Sequence, residues 1–189
     1  MKRNLLALLL IVPALAHAHT GAGPAHGFFE GLEHPVHGLD HLLAMIAVGL
    51  WAAQLGGRAT WAVPASFVGV MALGGLLGAA GWHLPMVETG VLASVFLLGL
   101  LIAFAVRLPI GAGAALVAVF ALFHGFAHGA EMPQSASHTL YAGGFILATV
   151  ALHLVGLGLG LAMKNVSFAP ALRVAGALVI LSGALLAFV

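Results

Sequence analysis

The chain has 189 residues, of which 62% are hydrophobic and only 6% are Asp, Glu, Lys or Arg. A soluble domain carries about 25% charged residues, so this composition excludes a water-exposed globular fold. The net charge is +1 and no basic patch is present, which argues against a nucleic-acid partner. Cysteine is absent, so disulfides and thiolate ligands are excluded and we expect any metal site to use nitrogen and oxygen.

The first eighteen residues have the pattern of a secretory signal. Lys2 and Arg3 form a basic start, an apolar stretch covers residues 5–15, and Ala16-His17-Ala18 has the form that signal peptidase accepts. We predict that residues 1–18 are a signal peptide cleaved after Ala18, which leaves a mature chain of residues 19–189. An uncleaved signal anchor is the alternative.

Six apolar segments follow, each close to the 20 or so residues that cross a bilayer. Turn and polar residues separate them, and the loops are too short for a soluble domain. The predicted spans are residues 37–55, 61–80, 87–106, 110–130, 138–163 and 170–188. The predicted fold is therefore all-α, a polytopic membrane protein with one bundle of six transmembrane helices.

The remaining positive charges predict the orientation of the spans. Arg58, Arg107, Lys164 and Arg173 all fall on one side of the six-span arrangement. Lys and Arg in short loops stay cytoplasmic, and a cleaved signal places the new N-terminus outside. We therefore expect a protein of the bacterial inner membrane with both termini of the mature chain in the periplasm.

A first group of candidate ligands lies at the outer end of the first span. His37, Asp40 and His41 have the spacing i, i+3, i+4, which places them on one helix face. Two imidazoles and a carboxylate on one face can converge on a divalent metal ion. The alternative role of Asp40 is to orient His37 or His41 through a hydrogen bond.

A second group lies at the outer end of the fourth span. His124 and His128 are again four residues apart, and Glu131 follows three residues later. Ionisable residues inside a membrane are costly and mostly functional. We predict one metal site from both groups, against the alternative that each histidine only hydrogen-bonds to a neighbouring helix. Its ligands are His37, Asp40, His41, His124, His128 and Glu131.

Five further residues are possible metal or proton sites. Glu88 begins the third span, where it would act as a ligand or proton acceptor, or only as favourable charge at a helix N-terminus. His153 lies about 22 Å along the fifth span, where it serves as an inner relay or only packs. The other three precede the first span and are candidates for capturing ions: His19, His26 and His34.

Two runs of sequence resemble signature motifs of the HupE/UreJ family of hydrogenase and urease accessory proteins. They are HPVHGLDHLLAM at residues 34–45 and FHGFAHGAEMP at residues 123–133. The resemblance covers the whole chain and implies a nickel permease, not an enzyme. It further implies Ni²⁺ as the ion, with Co²⁺ as an alternative, and nickel-enzyme maturation proteins as partners besides the lipid bilayer. Imidazole chemistry by itself also allows Zn²⁺.

Two other functions fit the same residues. An intramembrane zinc-dependent hydrolase holds zinc with three ligands and activates water with a carboxylate. We expect no serine beside the histidines that would act as a nucleophile. A metal-binding accessory protein that does not transport is the third possibility.

Overall fold

The computed structural model describes residues 25–133, 135–165 and 169–188, and all the regular structure in these ranges is helical. This confirms the all-α prediction. The predicted signal peptide, the cleavage after Ala18 and His19 lie outside the described residues, as does the side chain of His26. The helices are α1 (Ala25–His37), α2 (Leu39–Leu55), α3 (Ala59–Ala79), α4 (Val87–Ala103), α5 (Ile110–Ala130), α6 (His138–Asn165) and α7 (Ala169–Leu186).

The six predicted spans match α2 to α7 to within about three residues at each end. Three of these helices, α3, α5 and α6, are long and apolar enough to cross a membrane. A fourth span is reached if α1 and α2 are counted together. The apolar parts of α4 and α7 are shorter, and 17 residues extend about 26 Å. Six crossings therefore stay a prediction.

Helix α1 is an element that the sequence reasoning missed. Its residues include Glu30, Glu33 and three histidines, so it lacks the apolar run that marks a span. The chain then bends by 82° between α1 and α2, at Gly38. His34 and His37 consequently lie on a separate helix from Asp40 and His41, rather than at the start of one continuous span.

Glycines set how closely the helices pack, most clearly between α3 and α5. A Cβ atom at Gly125 would collide with the backbone carbonyl of Met71, and one at Gly78 with that of Phe126. Membrane helices use small residues in this way because lipid supplies no hydrophobic force between them. The same arrangement recurs at other helix pairs: Gly31 and Gly144 between α1 and α6, Gly49 and Gly156 between α2 and α6, and Gly99 and Gly176 between α4 and α7.

Large apolar side chains cover the outside of the bundle. These residues are 56–67% exposed and lie on α3, α5, α6 and α7: Trp61, Leu73, Leu76, Val119, Leu154 and Leu181. So much exposed apolar surface is unfavourable in water and favourable in lipid. The chain is accordingly a membrane protein, and its few buried polar groups lie inside the bundle.

Candidate metal centre

The bend at Gly38 positions the first half of the site. Gly38 has extended backbone angles and no side-chain cap on α2. A Cβ atom there would lie 3.0 Å from Oδ1 of Asp40 and 3.2 Å from Nδ1 of His41. Glycine thus leaves room for this carboxylate and this ring to lie against the bend, at the start of α2.

The close packing of α5 on α3 positions the second half. Gly125 and Gly129 lie against the α3 backbone, at the carbonyls of Met71 and Gly75. Each of these glycines directly follows a histidine, so His124 and His128 are held at a fixed depth next to α2. Both histidine side chains are fully buried.

Three imidazole rings meet where these two halves join. The ring of His41 lies 4.7 Å from that of His124 and 4.6 Å from that of His128, measured between centroids, with edge-to-face geometry. We call His41, His124 and His128 the histidine trio. The prediction that the two sequence groups come together is realised by these three rings.

Most nitrogen atoms of the trio have no hydrogen-bond partner within the described ranges. The buried atoms without partners are Nε2 of His41, Nδ1 of His124 and both ring nitrogens of His128. Leaving a buried polar atom without a partner costs about 1–3 kcal/mol. A neutral imidazole has one N–H and one lone pair, so the trio offers three lone pairs to a metal ion.

The carboxylate of Asp40 determines which nitrogen of His41 is free. Asp40 Oδ1 accepts a hydrogen bond from the backbone N–H of His41 at 2.7 Å and lies 2.9 Å from Nδ1 of the same ring. With the proton on Nδ1, the lone pair is on Nε2. This is the orienting role considered as the alternative for Asp40, and it is typical of residues behind metal-binding histidines.

A serine that the sequence analysis did not place at the site performs the same function for His124. Ser94 on α4 donates its hydroxyl proton to the carbonyl of Val91 at 2.6 Å. Its oxygen lies 2.8 Å from Nε2 of His124, so that nitrogen donates and Nδ1 keeps the lone pair. In this arrangement the hydroxyl donates to a carbonyl, whereas a nucleophilic serine donates to its histidine base.

A second histidine–carboxylate pair lies at the rim of the site. Nε2 of His34 is 3.0 Å from Oε2 of Glu131, and the His34 ring packs edge-on against His128 at 4.9 Å. The hydrogen bond from His34 lowers the pKa of Glu131 below its usual value, while partial burial opposes this shift. Glu131 is therefore an anion at neutral pH, at the outer edge of the trio.

A cavity of about 200 Å³ opens beside the trio. It is lined by seven of the residues singled out in the sequence: His34, His37, Asp40, His41, Glu88, His128 and Glu131. His37 and Glu88 are exposed at its wall, whereas His128 lies at its buried end. The cavity thus gives ions in the surrounding water access to His41 and His128 of the trio.

The comparisons with known proteins agree with the two sequence motifs. The family model described as "HupE / UreJ protein" matches residues 6–186. The chain is also 50% identical over 177 residues to Protein HupE of Rhizobium leguminosarum bv. viciae, covering 94% of this chain and 92% of that protein. The chain belongs to the HupE/UreJ family. No solved structure gave a significant match.

This HupE/UreJ protein does not hold its predicted ligands in a finished coordination sphere. Within the described ranges, no set of three or more His, Asp or Glu side chains already has the geometry to hold a metal ion. The trio rings pack edge-to-face, so their free nitrogens must turn toward a common point before three can bind one ion. His153 lies deeper in the bundle, apart from the cavity.

Several neighbours of the site in this HupE/UreJ protein were not found from the sequence. Ser94 contacts His124 from 30 residues away, and Phe145 stacks on His128 at 5.3 Å. Ser94 carried one usable signal, since it is the one polar residue of α4 beyond the first turn of that helix. Phe145 carried no signal in the sequence that would link it to the site, because Phe is common throughout this chain.

If His41 is a metal ligand, substituting Asp40 by asparagine is expected to weaken the affinity for Ni²⁺ about 10–100-fold, the range seen when the partner of a ligating histidine is changed. Asparagine keeps the size and one acceptor oxygen, but loses the negative charge that polarises His41. Isothermal titration of the purified variant with Ni²⁺ measures the effect. An affinity equal to that of the wild type would show that Asp40 does not support His41.

Proposed function

We propose that this HupE/UreJ protein is a secondary permease that takes up a divalent transition metal ion, with nickel as the main substrate and cobalt as a second. The metal serves the maturation of hydrogenase or urease. The observation that carries the proposal is the histidine trio, three buried rings with unpartnered nitrogens, of which His41 and His128 line a water-accessible cavity.

The chemistry of the trio supports a metal ion as the missing partner. Neutral imidazole is a good ligand for nickel, zinc and copper, and the surrounding carboxylates attract cations. Ionisable side chains inside a membrane are energetically costly, and those that are present mostly have a function. Rotation of the three rings would give three of the unpartnered nitrogens, one from each histidine, a shared partner, which gives the bound ion its affinity.

The transport direction follows from the predicted topology. In the six-span arrangement with both termini outside, the trio and its cavity face the periplasm. An inside-negative potential then draws a divalent ion inward with about 4.6 kcal/mol per 100 mV. Uptake on this arrangement needs no ATP. The domain assignment, residues 1–18 as signal peptide and 19–189 as the transmembrane domain, is part of the same proposal.

The experiment is ion influx into proteoliposomes that contain the purified chain. Nickel added outside should accumulate in vesicles with an inside-negative potential, and cobalt should compete more strongly than magnesium because imidazole is a poor ligand for magnesium. Vesicles without protein are the control. Nickel binding without influx would contradict the permease proposal. It would favour a metal-binding accessory protein that does not transport.

A further inference from the structure

A line of four buried side chains on α6 leads away from the histidine trio into the bundle. Tyr141, Phe145, Thr149 and His153 are four residues apart and therefore share one face of the helix. None of them is more than 3% exposed. We call these four residues the α6 stripe. It covers about 18 Å along the helix axis, more than half of the thickness of a bilayer core.

The outer half of the α6 stripe belongs to the surroundings of the trio. The ring of Tyr141 lies 5.9 Å from that of His34, and Phe145 stacks on His128 at 5.3 Å with an interplanar angle of 20°. The stripe therefore begins where the candidate ion site lies, and its inner half points along the route that an ion would take from there.

Two sulfur atoms and a hydroxyl meet at the third position of the stripe. The hydroxyl of Thr149 lies 3.4 Å from Sδ of Met45 and 3.5 Å from Sδ of Met71. All three side chains are fully buried. Three helices, α2, α3 and α6, thus bring polarizable and polar donor atoms to one point in the middle of an otherwise apolar bundle.

His153 lies one turn further along the stripe and has no hydrogen-bond partner. Both of its ring nitrogens are buried and unpartnered within the described ranges. Its ring packs edge-on against Phe67 at 5.1 Å, and Phe67 lies 5.5 Å from His124 of the trio on another side. A buried histidine with a purely structural role is expected to form a hydrogen bond to a neighbouring helix. Without such a bond, an apolar residue at this position would give a more stable protein.

We propose that His153, with the sulfur atoms of Met45 and Met71 and the hydroxyl of Thr149, forms a second station for the metal ion on its way inward. This inference rests on the proposed function of the chain. One imidazole and three neutral donors hold a transition metal ion more weakly than three imidazoles do. Weak binding suits an inner station, because a conducted ion must leave as readily as it enters.

The test replaces His153 by leucine in the full-length chain and measures nickel in two ways. Influx into proteoliposomes should fall at least about tenfold, as expected when a ligand is lost. Titration with NiCl₂ should show one equivalent bound in place of two, with the tighter site unchanged. The melting temperature should stay equal or rise, because leucine removes two buried unpartnered nitrogens. Met45→Leu with Met71→Leu, a change of similar volume, should reduce influx as well.

The matched control is His138→Leu, which removes an exposed histidine from the same helix outside the stripe. It should leave influx and stoichiometry unchanged. Normal influx in His153→Leu would overturn the inner station while leaving the permease intact. If the wild type moves no nickel, the permease fails, and the stoichiometry then tests the second site alone. Two equivalents in the wild type and one in His153→Leu would keep His153 as a metal ligand, and one equivalent in both would overturn it.

Discussion

Replacing Gly125 by alanine is expected to destabilise the bundle and to abolish nickel uptake. The added Cβ atom would collide with the carbonyl of Met71, which is backbone of α3 and cannot move aside as a side chain can. Overpacking costs about 1–3 kcal/mol where side chains can adjust, and a clash with backbone belongs at the upper end of that range. The helices must separate, which displaces His124 and His128 from His41.

The melting temperature of the purified protein in detergent measures this effect. The matched control is Gly69→Ala on α3, where a Cβ atom meets nothing within 4 Å. That variant should be unchanged or more stable, since alanine favours a helix by about 0.8–1.0 kcal/mol over glycine. Equal melting temperatures for Gly125→Ala and the wild type would show that α3 and α5 do not pack as closely as described.

Replacing His128 by phenylalanine is expected to reduce nickel influx to that of protein-free vesicles without unfolding the protein. Phenylalanine has a similar shape and keeps the stacking on Phe145, but removes two nitrogens that lack partners. A variant that keeps a normal or higher melting temperature but shows no influx would identify His128 as a ligand. A residue that only packs would lower the melting temperature when it is replaced.

The control for this variant is His83→Phe, because His83 is exposed and does not line the cavity. It should transport as the wild type does. Losing even a residue that supports a ligand costs about 10–100-fold, so losing a ligand should cost at least as much. If His128→Phe kept more than about a tenth of the wild-type influx, His128 would not be a ligand.

Local pattern was sufficient to predict helices α2 to α7 and the three histidines that the structure brings together. Apolar runs between polar turns marked α2 to α7, because each of these segments is long and uniform in composition. His41, His124 and His128 were predicted to come together from their depth in the spans. Family membership, indicated by the two motifs, is confirmed by the comparisons.

The parts that sequence reasoning missed depend on contacts between distant residues. Helix α1 lacks a span-like apolar run, so the 82° bend that separates His34 from His41 had no signal. The partner of His124 is Ser94, on another helix, and that contact decides which nitrogen is free. Methionine was not considered as a ligand, because in most apolar helices it only fills space.

The central claim is that three imidazoles bind one metal ion at the end of the cavity. Nickel K-edge X-ray absorption on the protein loaded with one equivalent of Ni²⁺ tests it most directly. We predict a shell of nitrogen and oxygen atoms without sulfur, with imidazole scattering that decreases by about a third in His128→Phe if three rings bind equally. Imidazole scattering that is absent, or that is the same in the wild type and His128→Phe, would contradict the claim.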